Sequence, residues 1–488
     1  MSRLSDAQHL AVAELLRVSP VADELGQLFH DAGHVLHLVG GSVRDALLGR
    51  LGTDLDFATD ATPQQVLTVT EGWSEATWTT GIEFGTVGIA RHGLRCEVTT
   101  FRTEAYQDGS RNPLVVFGDS LAGDLSRRDF TVNAMAVSLP DHAFADPFDG
   151  VHDLARRVIR TPGTPEASFS DDPLRMMRAA RFAAQLGFAP EESVVTAMTA
   201  MAPRITIVSV ERVRDELSKL LCGADPVRGL RLLVDTSLAD HVLPELPGLR
   251  LEIDPIHHHK DVYLHSLAVL ERAMGLEVPG EPDPTLRMAA LLHDIGKPAT
   301  RELGPRGQVT FHHHEVKGAK MVRARLRALR YPKAFVDDVA RLVELHLRFH
   351  GFGSGEWTDS AVRRYVTDAG PLLARLNQLV RSDCTTRNPR KAATLAAAYA
   401  ELERRIEVLA AEEELAAIRP DLDGTQIMAV LGIPAGPLVG RAYQHLLAVR
   451  MDKGPVPHEQ AVEELLRWAA DEGVSVPSGD HSGRTTAE

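Results

Sequence analysis

The sequence predicts an α+β protein: a mixed α/β head with a small, antiparallel-leaning sheet, then a body that is helical to its end. Three observations predict this. Short apolar and alternating runs, separated by glycine-bearing turns, are concentrated between residues 35 and about 160. From about 165 onward the apolar pattern is helical. The 488 residues also exceed what one hydrophobic core accommodates. Six segments follow: 1–34 helical, 35–160 the head, 161–250 and 251–390 two helical blocks, 391–476 a helical tail, and 477–488 disordered by composition.

Residues 1–34 read as one or two amphipathic helices capped near Ser5-Asp6. Val35, Leu36, Leu38 and Val39 form a buried strand that breaks at Gly40-Gly41-Ser42. Paired glycines ahead of a short helix let a backbone approach a ligand closely at the helix N-terminus. Arg44, one turn in, is placed to add a cation, and Gly49 and Gly52 end the helix. Asp54-Leu55-Asp56-Phe57 alternates as a strand does, with Leu55 and Phe57 on one face and both carboxylates on the other. Their Cα atoms lie roughly 6.5 Å apart, twice the rise per residue. Carboxylates converging from that separation suit a pair of Mg²⁺ ions about 3.5–4 Å apart.

Thr86–Ala90 and Arg95–Phe101 read as a hairpin turning at Arg91-His92-Gly93. Glu97, with Cys96 and Val98 pointing the other way, is placed to face the aspartate pair from an adjacent strand. Thr103–Ser126 is polar and aperiodic and reads as a long loop. Arg127–Ala136 reads in isolation as a helix capped by Ser126. Ser168–Gly187 has a cap at Ser170, first-turn acids Asp171 and Asp172, Pro173 in the first turn and Gly187 at the stop, which predicts one helix. Along it Arg175, Arg178 and Arg181 share a face with Asp172. His265 lies in an amphipathic segment, and the runs LLHDIGKP (291–298) and FHHHE (311–315) follow. Beyond 390 come alanine- and glutamate-rich helix, a Gly-Pro interruption at 432–437, and a further helix ending near Asp471.

GGSVRD (40–45) followed by DLDFAT (54–59) resembles the class II nucleotidyltransferases, the CCA-adding enzymes and bacterial poly(A) polymerases. CEVTTFR (96–102) matches the strand that supplies the family's third acidic group, here Glu97. YQDGSRNP (106–113) resembles the flexible loop of full CCA-adding enzymes, and RRDFTVNAMA (127–136) matches the family element that contacts ribose and triphosphate. DDPLR (171–175) stands where the family has EDxxR, with Asp171 replacing the usual glutamate. SVERVRDELSKLL (209–221) continues the family's neck and RNA-binding helices. His265, His293-Asp294 and Asp383 resemble the His…His-Asp…Asp pattern of an HD domain, with His313 or His314 and His346 nearby.

The resemblance spans roughly 35–385 and implies a head (35–160), a neck (161–250) and an HD domain (251–390). It implies catalytic Asp54, Asp56 and Glu97, with Mg²⁺ on Asp54 and Asp56. It implies nucleotide binding by Gly40, Gly41, Arg44, Arg128, Asp129, Asn133, Asp172, Arg175, Arg178 and Arg181. In the HD domain, His265, His293, Asp294 and Asp383 are candidate ligands for a second divalent metal (Ni, Co, Mn or Mg), since imidazole and carboxylate suit several.

Cytosine and adenine both present an amine donor beside a ring-nitrogen acceptor. A carboxylate (Asp172) with a guanidinium (Arg175) accepts both bases and rejects uracil and guanine, with no template strand. The expected reaction is CCA addition to tRNA from CTP and ATP with release of pyrophosphate. Alternatives are poly(A) synthesis, partial CC- or A-addition, and an HD-type phosphohydrolase whose head only binds RNA.

Composition agrees with these expectations. Three cysteines far apart, without a CxxC, argue against a disulfide framework or zinc-thiolate site and fit a reducing cytoplasm. Acidic residues interrupt the N-terminal segment, so no signal peptide is expected, and no apolar window is long enough for a membrane span. The net charge of −14 bears little on RNA binding, which depends on local basic faces. Candidates are Arg323, Arg325, Arg327 and Arg330, and the row Arg175, Arg178 and Arg181.

Overall fold

Among the described residues, nine strands make up the sheet and ribbon of the head: β1 (Leu36–Val39), β2 (Asp54–Thr59), β3 (Ala76–Trp78), β4 (Thr86–Arg91), β5 (Leu94–Thr100), β6 (Arg102–Ala105), β7 (Leu114–Phe117), β8 (Ala136–Leu139) and β9 (Phe144–Ala145). Seven form one sheet in the order β3-β4-β5-β2-β1-β8-β9, and β6 pairs with β7 in a separate ribbon. The structure is a computed structural model that describes residues 19–50, 52–105, 114–117, 120–250, 261–305, 309–351, 358–384, 388–413 and 419–474. It divides into two compact units, 1–250 with 325–331, and 251–324 with 332–488.

The sheet leans antiparallel, as expected, with the single parallel pair β2–β5 at its centre. That pair sets Asp56 opposite Glu97 in register. Leu55, Phe57, Cys96 and Val98 point to the other face and are buried with Leu36, Leu38, Val87 and Ile89. Helix Pro20–Asp31 closes this core with Val21, Leu25 and Phe29. Burying a side chain such as Phe57 contributes about 1.5–3 kcal/mol, so the alternation of β2 fixes which way its aspartates face. Val35, expected in the strand, lies before it and is 46% exposed.

Four local expectations are corrected. Thr103–Ser126 is not a featureless loop, because β6 and β7 pair antiparallel and Leu121–Ser126 is a helix capped by Ser120. Only the backbone pairing of two short runs reveals that ribbon, which a periodicity reading passes over. Arg127–Ala136 is not a helix either: a single turn of 3₁₀ at Thr131–Asn133 leads into β8. The helix predicted over Ser168–Gly187 is two helices, Pro165–Asp171 and Leu174–Leu186, with Asp172 extended between them (φ −143°, ψ 102°). Pro173 causes the break, since the residue before a proline is pushed out of the helical region. The last helix is also two, Pro437–Lys453 and His458–Asp471, separated at Gly454-Pro455. Ser5-Asp6, the YQDGSRNP run and residues 477–488 lie outside the described residues.

In the second unit, helices Val262–Met274, Pro284–Leu292, Lys333–Leu345 and Leu373–Asp383 pack together. Gly424–Leu431, Pro437–Lys453 and His458–Asp471 share a separate core around Ile427, Leu446 and Leu465. Gly296, just after the His-Asp pair, lies against the start of helix His314–Ala328. A Cβ there would stand 2.1 Å from the His314 carbonyl oxygen and 2.7 Å from Gly318 N. Gly296→Ala is therefore expected to destabilise this unit by about 1–3 kcal/mol, since backbone cannot yield as a side chain does. A lower midpoint of urea unfolding checks it, and an unchanged midpoint refutes it.

Candidate active site

β1 runs into helix Gly41–Leu47 through Gly40, whose φ of 70° favours glycine. A Cβ at Gly40 would meet Arg128 Nη1 at 2.7 Å, with Asp56 Oδ2 at 3.7 Å. The glycine thus leaves room for a guanidinium beside a catalytic-candidate carboxylate. Ser42 ties the turn to β2: its hydroxyl donates to the Asp54 carbonyl (3.3 Å) and accepts from Asp56 N–H (3.1 Å). Burial pushes the Asp56 carboxyl up, against the pull of Arg128, and Asp54 adds to the rise. Glu97 is also raised, by burial and then by Asp56 and Asp54. Carboxylates that burial and mutual repulsion raise together are an oxygen-donor set suited to a hard divalent cation.

The other nucleotide-site candidates form one connected network. Arg44 is buried and its guanidinium is turned inward, donating to Asp45 (2.9 and 2.8 Å) and to Asn133 Oδ1 (2.5 Å). Asn133 donates to Asp129 (2.9 Å), and Arg178 Nε donates to the other Asp129 oxygen (2.7 Å). Arg127 and Arg128 are both held by the buried Asp124. Arg181 pairs with Glu216 at 2.6 Å. Arg175 is buried, bonded to Ser168 Oγ (2.9 Å) and to the Arg127 carbonyl.

Two expectations change as a result. The row 175/178/181 is a set of committed guanidiniums, not an open cationic face. Asp172 and Arg175 do not share a helix face, because Asp172 precedes the helix and pairs with Arg212 at 2.7 Å. The second expected basic face is likewise committed in part, with Arg325 on Glu245 and Arg330 on Glu211, both at 2.9 Å.

Ser42, Asp124, Arg212 and Glu216 support the site although the sequence reading gives none of them a role there; Ser42, Arg212 and Glu216 lie inside quoted motifs and Asp124 lies outside them. Only the spacing of Arg212 and Glu216, four apart on one helix, carried a sequence signal for any of them.

Asp129 is buried. Burial opposes its charge, yet Arg178, Asn133 and the Phe130 N–H hold its carboxyl at about 2. A carboxyl lowered by folding contributes its stability in full above its unfolded range near 4, and loses it as pH falls toward 2. Asp129→Asn is expected to remove about 2 kcal/mol at neutral pH and to flatten the acid limb between roughly pH 4 and 2. Unfolding midpoints at pH 7 and pH 3 check it: the gap between wild type and variant should shrink at pH 3.

In the second unit four histidines face the Asp294 carboxylate: His265 (3.5 Å), His293 (3.2 Å), His314 (3.2 Å) and His346 (3.9 Å). Among the described residues, His265, His293 and Asp383 form one group of potential ligands within 4.8 Å, and Asp294, His314 and His346 another. His265 Nε2 faces His293 Nε2 at 3.2 Å and Asp383 Oδ1 at 2.9 Å. Asp294 turns Oδ2 toward His293 (3.2 Å) and Oδ1 toward His314 (3.2 Å), while Lys297 also reaches Oδ2 at 2.6 Å.

His293, His314 and His346 each direct Nδ1 to a backbone carbonyl three residues upstream, at 2.9, 2.8 and 2.7 Å. This fixes the tautomer that leaves the Nε2 lone pair inward, as metal-bound histidines are held. Nε2 of His346 is buried without a hydrogen-bond partner, and Nε2 of His314 makes no well-aligned hydrogen bond although Asp294 Oδ1 stands 3.2 Å away. Burial holds His346 down at about 3, hence neutral. These donors fit a transition or divalent metal. His313, the alternative to His314, points away, its side chain 86% exposed.

Fold and site together define a nucleotidyltransferase head carried on a helical body with an HD-type histidine–aspartate cluster. Residues 36–160 match the Poly A polymerase head domain family, 187–249 the family described as the probable RNA and SrmB-binding site of polymerase A, and 262–375 the HD domain family. The chain is 33% identical over 443 residues to an A-adding tRNA nucleotidyltransferase of Deinococcus radiodurans, covering 89% of this chain and 95% of that one. It is 42% identical over 240 residues to a CCA-adding enzyme of Leuconostoc mesenteroides, covering 49% of this chain and 57% of that one. It thus spans about three fifths of the length of such CCA-adding relatives.

A solved Bacillus stearothermophilus CCA-adding enzyme in complex with CTP superposes with TM-score 0.67 at 28% identity, over 93% of this chain and 99% of that one. Thermotoga maritima CCA-adding enzyme complexed with tRNA shares the fold at TM-score 0.58 and 20% identity, over 94% and 98%. The chain belongs to the tRNA nucleotidyltransferase and poly(A) polymerase family. Among its described residues no helix is long and apolar enough to cross a membrane.

Proposed function

We propose that the protein adds CCA to the 3′ end of tRNA from CTP and ATP, releasing pyrophosphate. The observation that carries this reading is the parallel β2–β5 pair, which sets Asp56 and Glu97 in register beside the glycine turn. Asp54, Asp56 and Glu97 would hold divalent cations, Mg²⁺ by their oxygen donors, and such ions supply Lewis-acid stabilisation of the charge that develops on phosphate. Arg128, beside Gly40 and Asp56, orients the triphosphate. The network from Arg44 through Asn133 and Asp129 to Arg178 holds the nucleotide floor rigid. Asp172 accepts the exocyclic amine of cytosine or adenine. Arg175 is its proposed partner on the ring nitrogen, for which it must exchange its bonds to Ser168 and Arg127 when nucleotide enters.

A-addition alone is a second reading, supported by the near full-length match to an A-adding relative. Incubating tRNA lacking CCA with CTP and ATP, and sequencing the added 3′ nucleotides, separates the two. Addition of CCA supports the first; growth only on tRNA ending in CC supports the second. Asp172→Ala is expected to lower the preference for CTP over UTP by at least about tenfold, because a site left with unpaired polar groups is what rejects the wrong base. Competition between labelled CTP and UTP reads it, and an unchanged ratio removes Asp172 from base selection.

For the second unit we propose a metal centre on His265, His293, Asp294 and Asp383, extended by His314 and His346, in which Asp294 faces both donor groups. Nickel, cobalt, manganese and magnesium are the candidates. A phosphate ester, such as the 2′,3′-cyclic phosphate of a damaged RNA end, is the proposed substrate of this centre.

A further inference from the structure

We propose that Arg212 is a positioning residue for base selection, fixing the Asp172 carboxylate in the plane from which it reads the base. The inference rests on the base-reading role proposed for Asp172.

Asp172 sits in extended backbone between two helices, its N–H bonded to the Ser168 carbonyl and its carbonyl to Arg175 N–H, so the backbone is anchored and the side chain is left to be set by its own contacts. Two bonds fix its side chain. Oδ1 accepts from Leu174 N–H at 3.1 Å, and Oδ2 accepts from Arg212 Nη2 at 2.7 Å. With one donor on each oxygen the carboxylate plane is set, while each oxygen keeps a further lone pair for an incoming amine. The charge-assisted bond from Arg212 is the stronger of the two.

The neighbouring guanidiniums are engaged elsewhere. Arg175 is bonded to Ser168 and the Arg127 carbonyl, and Arg178 to Asp129. Arg212 itself is placed from behind. It lies on helix Val210–Leu221, whose Leu217, Leu220 and Leu221 are buried. One turn further along, Glu216 holds Arg181 at 2.6 Å. Residues 212 and 216 share a face, so one helix clasps both Asp172 and the far end of the arginine row. Arg212 touches no reacting atom in this scheme; it acts through Asp172.

The experiment measures kcat and KM for CTP, ATP and UTP with tRNA lacking CCA, for wild type, Arg212→Ala, Arg212→Lys, Asp172→Ala and the Arg212→Ala/Asp172→Ala double variant. Arg212→Ala is expected to raise KM for CTP and ATP and to lower the CTP-over-UTP preference by about tenfold, the scale of one charge-assisted hydrogen bond. Tm and tRNA affinity should stay at wild-type values, and Lys should restore part of the preference. The double variant should be no less selective than Asp172→Ala alone, because both act on one group.

Three results overturn the proposal. If Arg212→Ala lowers rate or Tm but keeps the wild-type preference, Arg212 is only structural. If KM falls, Arg212 competes with the base and does not position its receptor. If Asp172→Ala itself keeps the wild-type preference, the base-reading role fails, and the Arg212 proposal fails with it.

Discussion

Asp56→Ala is expected to abolish nucleotide addition while leaving tRNA affinity nearly unchanged. Asp56 stands in register with Glu97 across the parallel strands, beside Arg128 and Gly40, and burial raises its carboxyl. Such a site is stabilised by a cation, and removing one carboxylate removes a direct ligand. Even the outer partners of metal ligands cost about 10–100-fold when lost, so the fall here should exceed about 100-fold. Asp56→Asn keeps the shape and hydrogen-bonding reach but not the charge, and should fall as far. Single-turnover addition with labelled CTP reads the rate, and filter binding reads tRNA affinity. Addition at near wild-type rate in either variant would remove Asp56 from the metal-binding role. Loss of tRNA affinity in parallel with rate would make it an RNA contact instead.

His293→Ala/Asp294→Ala should empty the proposed metal centre of the second unit and leave nucleotide addition intact. Asp294 is the side chain that faces both histidine groups, so its loss withdraws oxygen donors from each. His293 is wholly buried among them. Metal content of the purified protein, measured after loading with Ni²⁺, Co²⁺, Mn²⁺ or Mg²⁺, should drop to background in the double variant. Hydrolysis of a 2′,3′-cyclic phosphate should vanish with it. Full metal content in the double variant would overturn the centre. Metal bound by the wild type without hydrolysis under any of the four ions would reduce it to a structural site.

Much of the candidate site was legible in the sequence because its signals are local. Alternation in Asp54–Phe57 placed both aspartates on one face, since a one-residue slip would have exposed Leu55 and Phe57 to water. Glu97 could be assigned to the neighbouring strand by the same rule, and the structure sets it in register with Asp56. His293 and Asp294 fall where a helix of apolar residues ends, which delivers them together to one place. Pro173 misleads for a comparable local reason. Taken as a first-turn proline it marks a helix start, and the same residue forces Asp172 out of the helix before it.

By itself, then, the sequence determined the α/β head, the helical body, and the chemical groups that each motif brings. Only the tertiary structure decided which partner each charged side chain takes. Arg44 meets Asn133 across 89 positions, Arg178 meets Asp129 across 49, and Arg212 meets Asp172 across 40. A guanidinium has five donors and no preference among carboxylates except the one that folding brings within reach and out of water. Residue type and spacing along one helix therefore predict that the arginines are charged and share a face. Whether they stand open to a ligand or closed on a neighbour is set by the strands and helices packed against them.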